Sequence, residues 1–418
     1  MIIARFILNT RSKVLKNNKR ILIVTECFYP EEFKINDVAV SWKKKGNRVD
    51  VLTLVPTYPQ GRVFSGYKNR LFYQKDRYEG INVYRVCAVT GYRNSLIKKI
   101  FRYINFMILG SIIAIFIGKR YDYVFGWNGG ALTDMFPAVI IRKFYKKPTM
   151  FWVQDVWPDS VYAYGFKKTK ILSVLLDAFV KFMYSNINSI AISSRGFESK
   201  LKPYVKKDLK FNYAPNWADD LDVDMNPANI GSTKKVHFTF AGNVGKVQNL
   251  ENIIRAYSDL SSEYQDRSQL NIIGDGSNLE HLRFIANNNS NIIFHGKKPR
   301  SDMASFYKAS DFLIISLIDK PIFEVTVPAK TQTYIAAKKP ILAIINGDVA
   351  DIVRDNNLGV CAHPSNIQEI TTSLEKCIDM PASQKLEFTV NNTNLLKTTF
   401  NRDNIINELR KNLSEGII

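Results

Sequence analysis

Three apolar runs between Val236 and Pro340 each stop at a glycine-bearing turn, and this restricts the fold more than any other feature of the chain. Val236-His-Phe-Thr-Phe-Ala241 reads as a strand and ends at Gly242-Asn-Val-Gly245-Lys246. Leu250, Ile253, Ile254 and Tyr257 then recur at the spacing of a helix with one apolar face. A second strand ends in Gly274-Asp-Gly276 and a third in Phe294-His-Gly296-Lys-Lys-Pro299. A fourth, Asp311 to Ser316, leads to Pro328-Ala-Lys330 and a helical segment. Such alternation builds an open parallel sheet, whose ligands sit beyond the carboxyl ends of the strands. There, turns and helix N-termini present free N–H groups to anions. Two of these turns add a lysine, so the site reads as one for a nucleotide carrying phosphates.

A chain of 418 residues fits two domains, and 46% hydrophobic content describes a globular protein. The formal charge of +20 leaves nucleic acid, an anionic membrane or a phosphorylated substrate as partners. No zinc-finger spacing or ribonucleoprotein-type aromatic motif occurs, which makes nucleic acid the weakest of the three. Cys27, Cys87, Cys361 and Cys377 are isolated, as expected of buried thiols in a reducing compartment rather than of a disulfide framework. His237 lies within a strand pattern and reads as packed rather than catalytic.

The front half repeats the α/β pattern. Ile21 to Thr25 is a compact strand, Ile35, Val38, Ala39 and Trp42 form a helical stripe closed by Gly46, and Val49 to Val55 is the next strand. The intervening loop lacks GxGxxG, which argues against a dinucleotide cofactor. Pro56 to Gly80 is turn-rich and aromatic. Phe101 to Gly118 is apolar with basic flanks, and its uncharged core of about thirteen residues is shorter than the ~20 that span a bilayer. It fits either a core helix or a helix lying in the membrane interface. Thr149 to Val153 leads into Gln154-Asp155-Val-Trp-Pro-Asp159. The expected boundaries are a basic extension over 1–20, a first domain over 21–218, a linker over 219–234, a second domain over 235–385, and C-terminal helices over 386–418 able to cross back. Asp222-Val-Asp224 has the form of a metal-binding DxD, but it lies in the linker, and no metal is expected.

In order and spacing, several motifs together resemble a known family. They are Phe28-Tyr-Pro-Glu31-Glu32 through Asn36-Asp37, Phe151-Trp-Val-Gln-Asp155-Val-Trp-Pro-Asp159-Ser160, Ala241-Gly-Asn-Val-Gly-Lys-Val-Gln248, Ile273-Gly-Asp-Gly276, and Val327-Pro-Ala-Lys330 through Pro340. The chain resembles the retaining GT-B glycosyltransferases of family 4. More narrowly, it resembles the branch that transfers N-acetylated 6-deoxy amino sugars, such as N-acetyl-L-fucosamine, in O-antigen and capsule assembly. The resemblance runs from Ile21 to about Leu413. It implies two doubly wound Rossmann-like α/β domains facing across a cleft, a UDP-sugar donor, retention at the anomeric carbon, and no metal or other cofactor.

The same resemblance implies residue roles. Gly242, Asn243, Gly245 and Lys246 would lie against the donor diphosphate, although Asn243 and Gln248 stand where many relatives carry Arg and Lys. Gly274 and Gly276 would come near the nucleoside, and the backbone around Lys298 would hold the base. Lys330, with Thr331 and Gln332, would address the phosphates. Glu324 fits the first of two glutamates found in many relatives, and Gln332 replaces the second. Glu31, Glu32 and Asn36 fall on the acceptor side. Leaving-group departure needs lysines and N–H groups placed where charge develops, which suits Lys246 and Lys330. Asp155, Glu31 or the departing phosphate could take the acceptor's proton.

The acceptor would be a saccharide on a polyprenyl diphosphate, reached from the cytoplasmic face of the inner membrane. Two other readings remain: a nucleotide-sugar 2-epimerase, which turns over without an acceptor, and an inactive sugar-binding scaffold at the membrane surface.

Overall fold

The computed structural model describes residues 18–70, 73–92, 95–163, 166–218, 221 and 224–415. Most of the basic extension and Asp222 of the DxD sequence lie outside them. The chain divides into two compact units. The first takes the chain up to Ser193, then 198–214, and the stretch from Ile406; the second holds 194–197 and 215–405. The helix Ala382–Lys397 therefore stays with the second unit, and only the end of the chain returns to the first.

The first unit is built on β1 (Arg20–Val24), β2 (Arg48–Leu54), β3 (Tyr73–Tyr78), β4 (Ile81–Val86), β5 (Tyr123–Trp127), β6 (Thr149–Val153), β7 (Ser189–Ile192) and β8 (Phe211–Tyr213). Their order is β3-β4-β2-β1-β5-β6-β7-β8, and only the β3–β4 pair is antiparallel. Strand order reverses direction at β1/β5, the place where a parallel sheet opens a crevice at its carboxyl edge. The interior strands are apolar on both faces because helices cover both sides.

The turn-rich stretch 56–80 also holds a strand that the sequence reading does not mark, β3, paired along β4. Its Tyr-Gln-Lys-Asp-Arg-Tyr sequence hides the strand because an edge strand keeps polar residues. The hairpin turn shows in Glu79 and Gly80, at φ +47° and +70°, as a two-residue turn of the favoured hand requires.

On one side of this sheet lies the helix Lys34–Lys44. Its Trp42 is fully buried, meets Phe125 edge-on at 4.9 Å between ring centroids, and donates its indole N–H to the Ile406 carbonyl at 3.1 Å. The C-terminal helix Arg402–Glu415 is thereby tied to the first sheet, with Arg410 donating to Asn47 at 3.1 Å.

Between β4 and β5 the chain is helical from Leu96–Asn105, through a π-helical turn Phe106–Gly110, into Ser111–Gly118. The helix is longer than the apolar core read from the sequence: Ile97–Gly118 is long and apolar enough to cross a bilayer by length and composition. It is neither wholly core nor wholly surface. Arg102, Phe106, Gly110, Ile113, Ala114 and Ile117 form a buried stripe, while Ile97, Phe101, Ile104, Ile108, Ile112 and Phe116 form an exposed one. Gly118 lets this helix approach the helix Phe136–Tyr145, because a Cβ there would lie 2.8 Å from an Ile141 side-chain carbon.

The second unit carries β9 (Val236–Ala241), β10 (Ser268–Ile273), β11 (Ile292–Gly296), β12 (Phe312–Ser316), β13 (Ile341–Ile344) and β14 (Gly359–Ala362). The order is β11-β10-β9-β12-β13-β14, with every pair parallel. This is the doubly wound order, with its switch point between β9 and β12. Phe238, Phe240, Ile253, Ile254, Tyr257, Leu270 and Ile314 form one core cluster, so the helical stripe read after β9 is the face that packs. His237 is buried, with its ring nitrogens against the Ser232 carbonyl at 2.9 Å and Asn271 at 3.3 Å, which fits packing.

Candidate functional site

The carboxyl ends of β9, β10 and β11 form one laced surface in the second unit. Gly242 donates its N–H to Ile273 at 2.9 Å, Val244 to Asp275 at 2.9 Å, and Gly274 to Gly296 at 2.9 Å. Gly242 and Gly274 both sit at φ +139°, a region open to glycine. A Cβ on Gly274 would enter the Gly242 carbonyl, and one on Gly276 would enter the Val244 backbone. Glycine at these positions is thus explained by two turns packed backbone to backbone.

Gln248 shapes the first of these turns from inside. Its side-chain oxygen accepts from the Gly245 N–H at 3.0 Å and from the Asn243 amide at 3.4 Å. Lys246 opens the exposed one-turn helix Lys246–Gln248, and Ile318 N–H donates to Val247 at 2.9 Å, tying the turn to the end of β12. The β9/β12 switch point is therefore closed at its edge by this segment.

Lys330 lies at the start of the helix Ala329–Ala336, whose N-cap, Pro328, supplies no side-chain acceptor. Its ammonium stands 3.5 Å from the Phe240 ring centroid, and a Cβ on Gly242 would lie 2.8 Å from it. Among the described residues no carboxylate pairs with it. Burial pushes its pKa down to about 7. This cation is held beside the β9 turn at the cost of its own hydration. Behind it, Thr331 and Gln332 are buried, and Thr331 Oγ1, Gln332 Oε1 and Ser316 Oγ find no hydrogen-bond partner among the described residues. Ser316, at the end of β12, was not singled out in the sequence; only its place at a switch-point strand end could have marked it.

Glu324 is exposed, and its backbone packs against Gly347, whose φ of +72° again requires glycine. Lys298 is exposed and stands 5.9 Å from the Phe306 ring centroid.

In the first unit the sequence-predicted residues separate. Glu31 is buried and accepts from the N–H groups of Phe28 at 3.2 Å, Thr57 at 2.9 Å and Tyr58 at 2.7 Å. Asn36 accepts from Tyr29 N–H at 3.1 Å and donates to the Glu31 carbonyl at 2.7 Å. Glu31 thus ties the loop after β1 to the loop after β2, and Asn36 pins that first loop to the start of the helix Lys34–Lys44. Glu32 is exposed. Asp155 differs: one oxygen accepts from Val156 N–H at 2.9 Å and the other is buried, with the Ser160 hydroxyl beside the carboxyl favouring its charged form. Burial raises its carboxyl to about 6, within the range useful to a group that exchanges protons near neutrality.

A polar cluster at the ends of β1 and β5 escaped the sequence reading. Arg102 forms a buried ion pair with Glu26 and stacks 4.2 Å over the Tyr92 ring. Burial, the largest single influence, would lower the Arg102 pKa, but Glu26 together with Cys27, Tyr92 and Asp134 outweighs it and pushes the guanidinium up, so it stays charged. Asp134 is buried beside this pair, and burial, then Glu26, push its carboxyl well above the usual range. These residues lie more than a hundred positions apart in part, and nothing in their local patterns announces the meeting. Among the described residues no group of three or more His, Cys, Asp or Glu could hold a metal ion.

Residues 223–393, which include the β9–β13 turns and Lys330, match the family described as glycosyl transferases group 1. The chain is 26% identical over 278 residues to WbjE of Pseudomonas aeruginosa, a protein named as a glycosyltransferase, covering 63% of this chain and 68% of that one. It is 21% identical over 394 residues to WcaI of Escherichia coli K12, named as a colanic acid biosynthesis glycosyl transferase, covering 87% of this chain and 93% of that one. Its fold matches HepE of Anabaena, solved with UDP and glucose, at a TM-score of 0.63 and 12% identity, covering 95% of this chain and all of that one. Residues 223–393 thus match the group 1 glycosyl transferases, and the chain is a glycosyltransferase with the fold of the GT-B enzymes.

Proposed function

We propose that the chain moves a sugar from a UDP-sugar to a saccharide carried on a polyprenyl diphosphate, with retention, in the assembly of a bacterial surface polysaccharide. The observation that carries this reading is Lys330, a cation pushed down to about 7 by burial, set at a helix start beside the Gly242 turn. A diphosphate brought to this place restores to the ammonium the partner it lacks. WcaI's name supports a polysaccharide product and HepE's bound UDP supports the nucleotide. The donor favoured by the motif resemblance is an N-acetylated 6-deoxy amino sugar.

In the reaction the bond between the anomeric carbon and the diphosphate oxygen breaks, and its electron pair leaves with the diphosphate. Lys330, Lys246 and the turn N–H groups stabilise that growing charge. The acceptor hydroxyl oxygen bonds to the anomeric carbon on the face just vacated. Its proton passes to Asp155 or to the departing phosphate. Glu324, Thr331 and Gln332 contribute donor contacts, and the Lys298 segment holds the base. The enzyme works from the cytoplasmic face of the inner membrane, where such acceptors reside.

The test uses a radiolabelled UDP-sugar with and without a lipid-linked acceptor. Label appearing in lipid and UDP released only with acceptor support the reading. Conversion of the UDP-sugar to its 2-epimer without acceptor overturns it.

A further inference from the structure

The long helix after β4 is not the only apolar surface on its side of the first sheet. Right-handed crossovers place the connections β4–β5, β5–β6 and β6–β7 on one side of a parallel sheet. The three helices there are also in contact with one another. Tyr145 of the helix Phe136–Tyr145 donates to the Ile115 carbonyl at 2.5 Å, and Phe136 lies 6.2 Å and 6.0 Å from Phe179 and Phe182 of the helix Lys170–Ser185. Each helix turns large apolar side chains to solvent. Phe116 is 75% exposed, Phe144 62%, Ile171 75% and Leu175 62%. Contiguous apolar exposure of this kind marks an interaction surface.

Charge selects the partner. The segments 95–120, 136–147 and 166–185 hold thirteen Lys and Arg against one acidic residue, Asp177. Lys98, Lys119, Lys143, Lys168, Lys170 and Lys181 among them are exposed. Apolar side chains between lysines suit an anionic bilayer surface, where the rings and branched chains enter the acyl boundary and the ammonium groups meet headgroups.

We propose that these three helices form one platform on which the enzyme lies flat on an anionic membrane, with the helix Lys170–Ser185 as much part of the footprint as Ile97–Gly118. The helix does not cross the bilayer. Its buried stripe is packed on its own unit and Arg102 is paired with Glu26, contacts that insertion would break. The inference rests on the membrane-borne acceptor proposed above and adds the two further helices.

The test is co-sedimentation of the full chain with vesicles of phosphatidylglycerol and phosphatidylcholine, against phosphatidylcholine alone. Wild type is expected to bind the anionic vesicles and to be released by salt. Val174→Asp/Leu175→Asp and, separately, Phe116→Asp are expected each to lower the bound fraction by about tenfold while the thermal unfolding midpoint stays unchanged. Loss with Phe116→Asp but not with the Val174/Leu175 pair overturns the three-helix platform and leaves the membrane reading in place. No vesicle binding by wild type, with transfer to a water-soluble acceptor analogue intact, overturns the platform while the transferase reading stands. A wild-type dimer in solution that Leu175→Asp dissociates, again without vesicle binding, assigns the face to a second copy and also overturns it.

Discussion

Replacing Lys330 by Met should make the ligand-free protein more stable and the enzyme inactive, and the pH dependence of both effects follows from one number. Burial lowers the ammonium pKa from 10.5 to about 7 in the folded chain. At about 1.36 kcal/mol per unit, keeping this lysine charged without an anion costs up to about 5 kcal/mol. The sign is fixed by the direction of the shift. The unfolded chain holds the proton up to its ordinary pKa, whereas the folded chain gives it up near 7. The penalty is therefore absent above 10.5, grows as pH falls, and is complete below about 7. Lys330→Met should raise the unfolding midpoint by several degrees at pH 6.5, and the gain should shrink toward pH 10.

A bound diphosphate reverses the preference and returns the proton. Between pH 7.5 and 9 the protonated fraction of a group titrating near 7 falls about twentyfold, so UDP affinity should weaken by about that factor in the wild type beyond any change seen in Lys330→Met. Isothermal titration in two buffers of different ionisation enthalpy at pH 8 should report uptake of nearly one proton per UDP. Equal pH slopes for the two proteins, or no proton uptake, would refute the reasoning.

Asp155→Asn should lower kcat/KM by about 10²–10⁴ and remove a rise in rate through the pH of about 6 to which burial brings this carboxyl; a variant with at least half the wild-type rate removes Asp155 as the base. Because the folded pKa is raised, the charged form costs stability above pH 6, so the same variant should be up to about 3 kcal/mol more stable at pH 8 and unchanged near pH 3.5. Gly274→Ala should cost about 2 kcal/mol or more by chemical denaturation, since the new methyl group meets the Gly242 carbonyl at a positive φ; retained stability and UDP affinity would contradict the backbone-to-backbone packing of the turns. Trp42→Ala should cost about 3–5 kcal/mol and loosen the C-terminal helix, read as faster proteolysis near Ile406; an intact C-terminus under protease would contradict that tether.

The sheet of the second unit was legible because its strands are apolar on both faces and stop at glycines. Those glycines are demanded by the close approach of neighbouring turns, as at Gly242 and Gly274. Lys330 was legible from its place after β12, but its burial against Phe240 was not, since that contact joins β9 to a helix ninety residues later. Asn36 and Glu31 read as site residues because the motif that carries them resembles the acceptor side of the family. Glu31 in fact accepts from backbone N–H groups of a loop after another strand, which no local pattern shows, while Asn36 bonds within its own loop. β3 was missed because an edge strand of charged residues lacks the apolar alternation that marks a half-buried strand. The helix after β4 resisted assignment to core or surface for a physical reason: it is apolar on both stripes, and only packing tells them apart.

The central claim is that the carboxyl edge of the second sheet holds a diphosphate and stabilises its departure. The most direct measurement is sugar transfer by a folded Lys246→Ala/Lys330→Met double variant, with its circular dichroism and thermal unfolding recorded alongside. The account predicts a native spectrum, a midpoint no lower than that of the wild type, and transfer reduced at least about a thousandfold. A folded double variant that transfers sugar at the wild-type rate would contradict it.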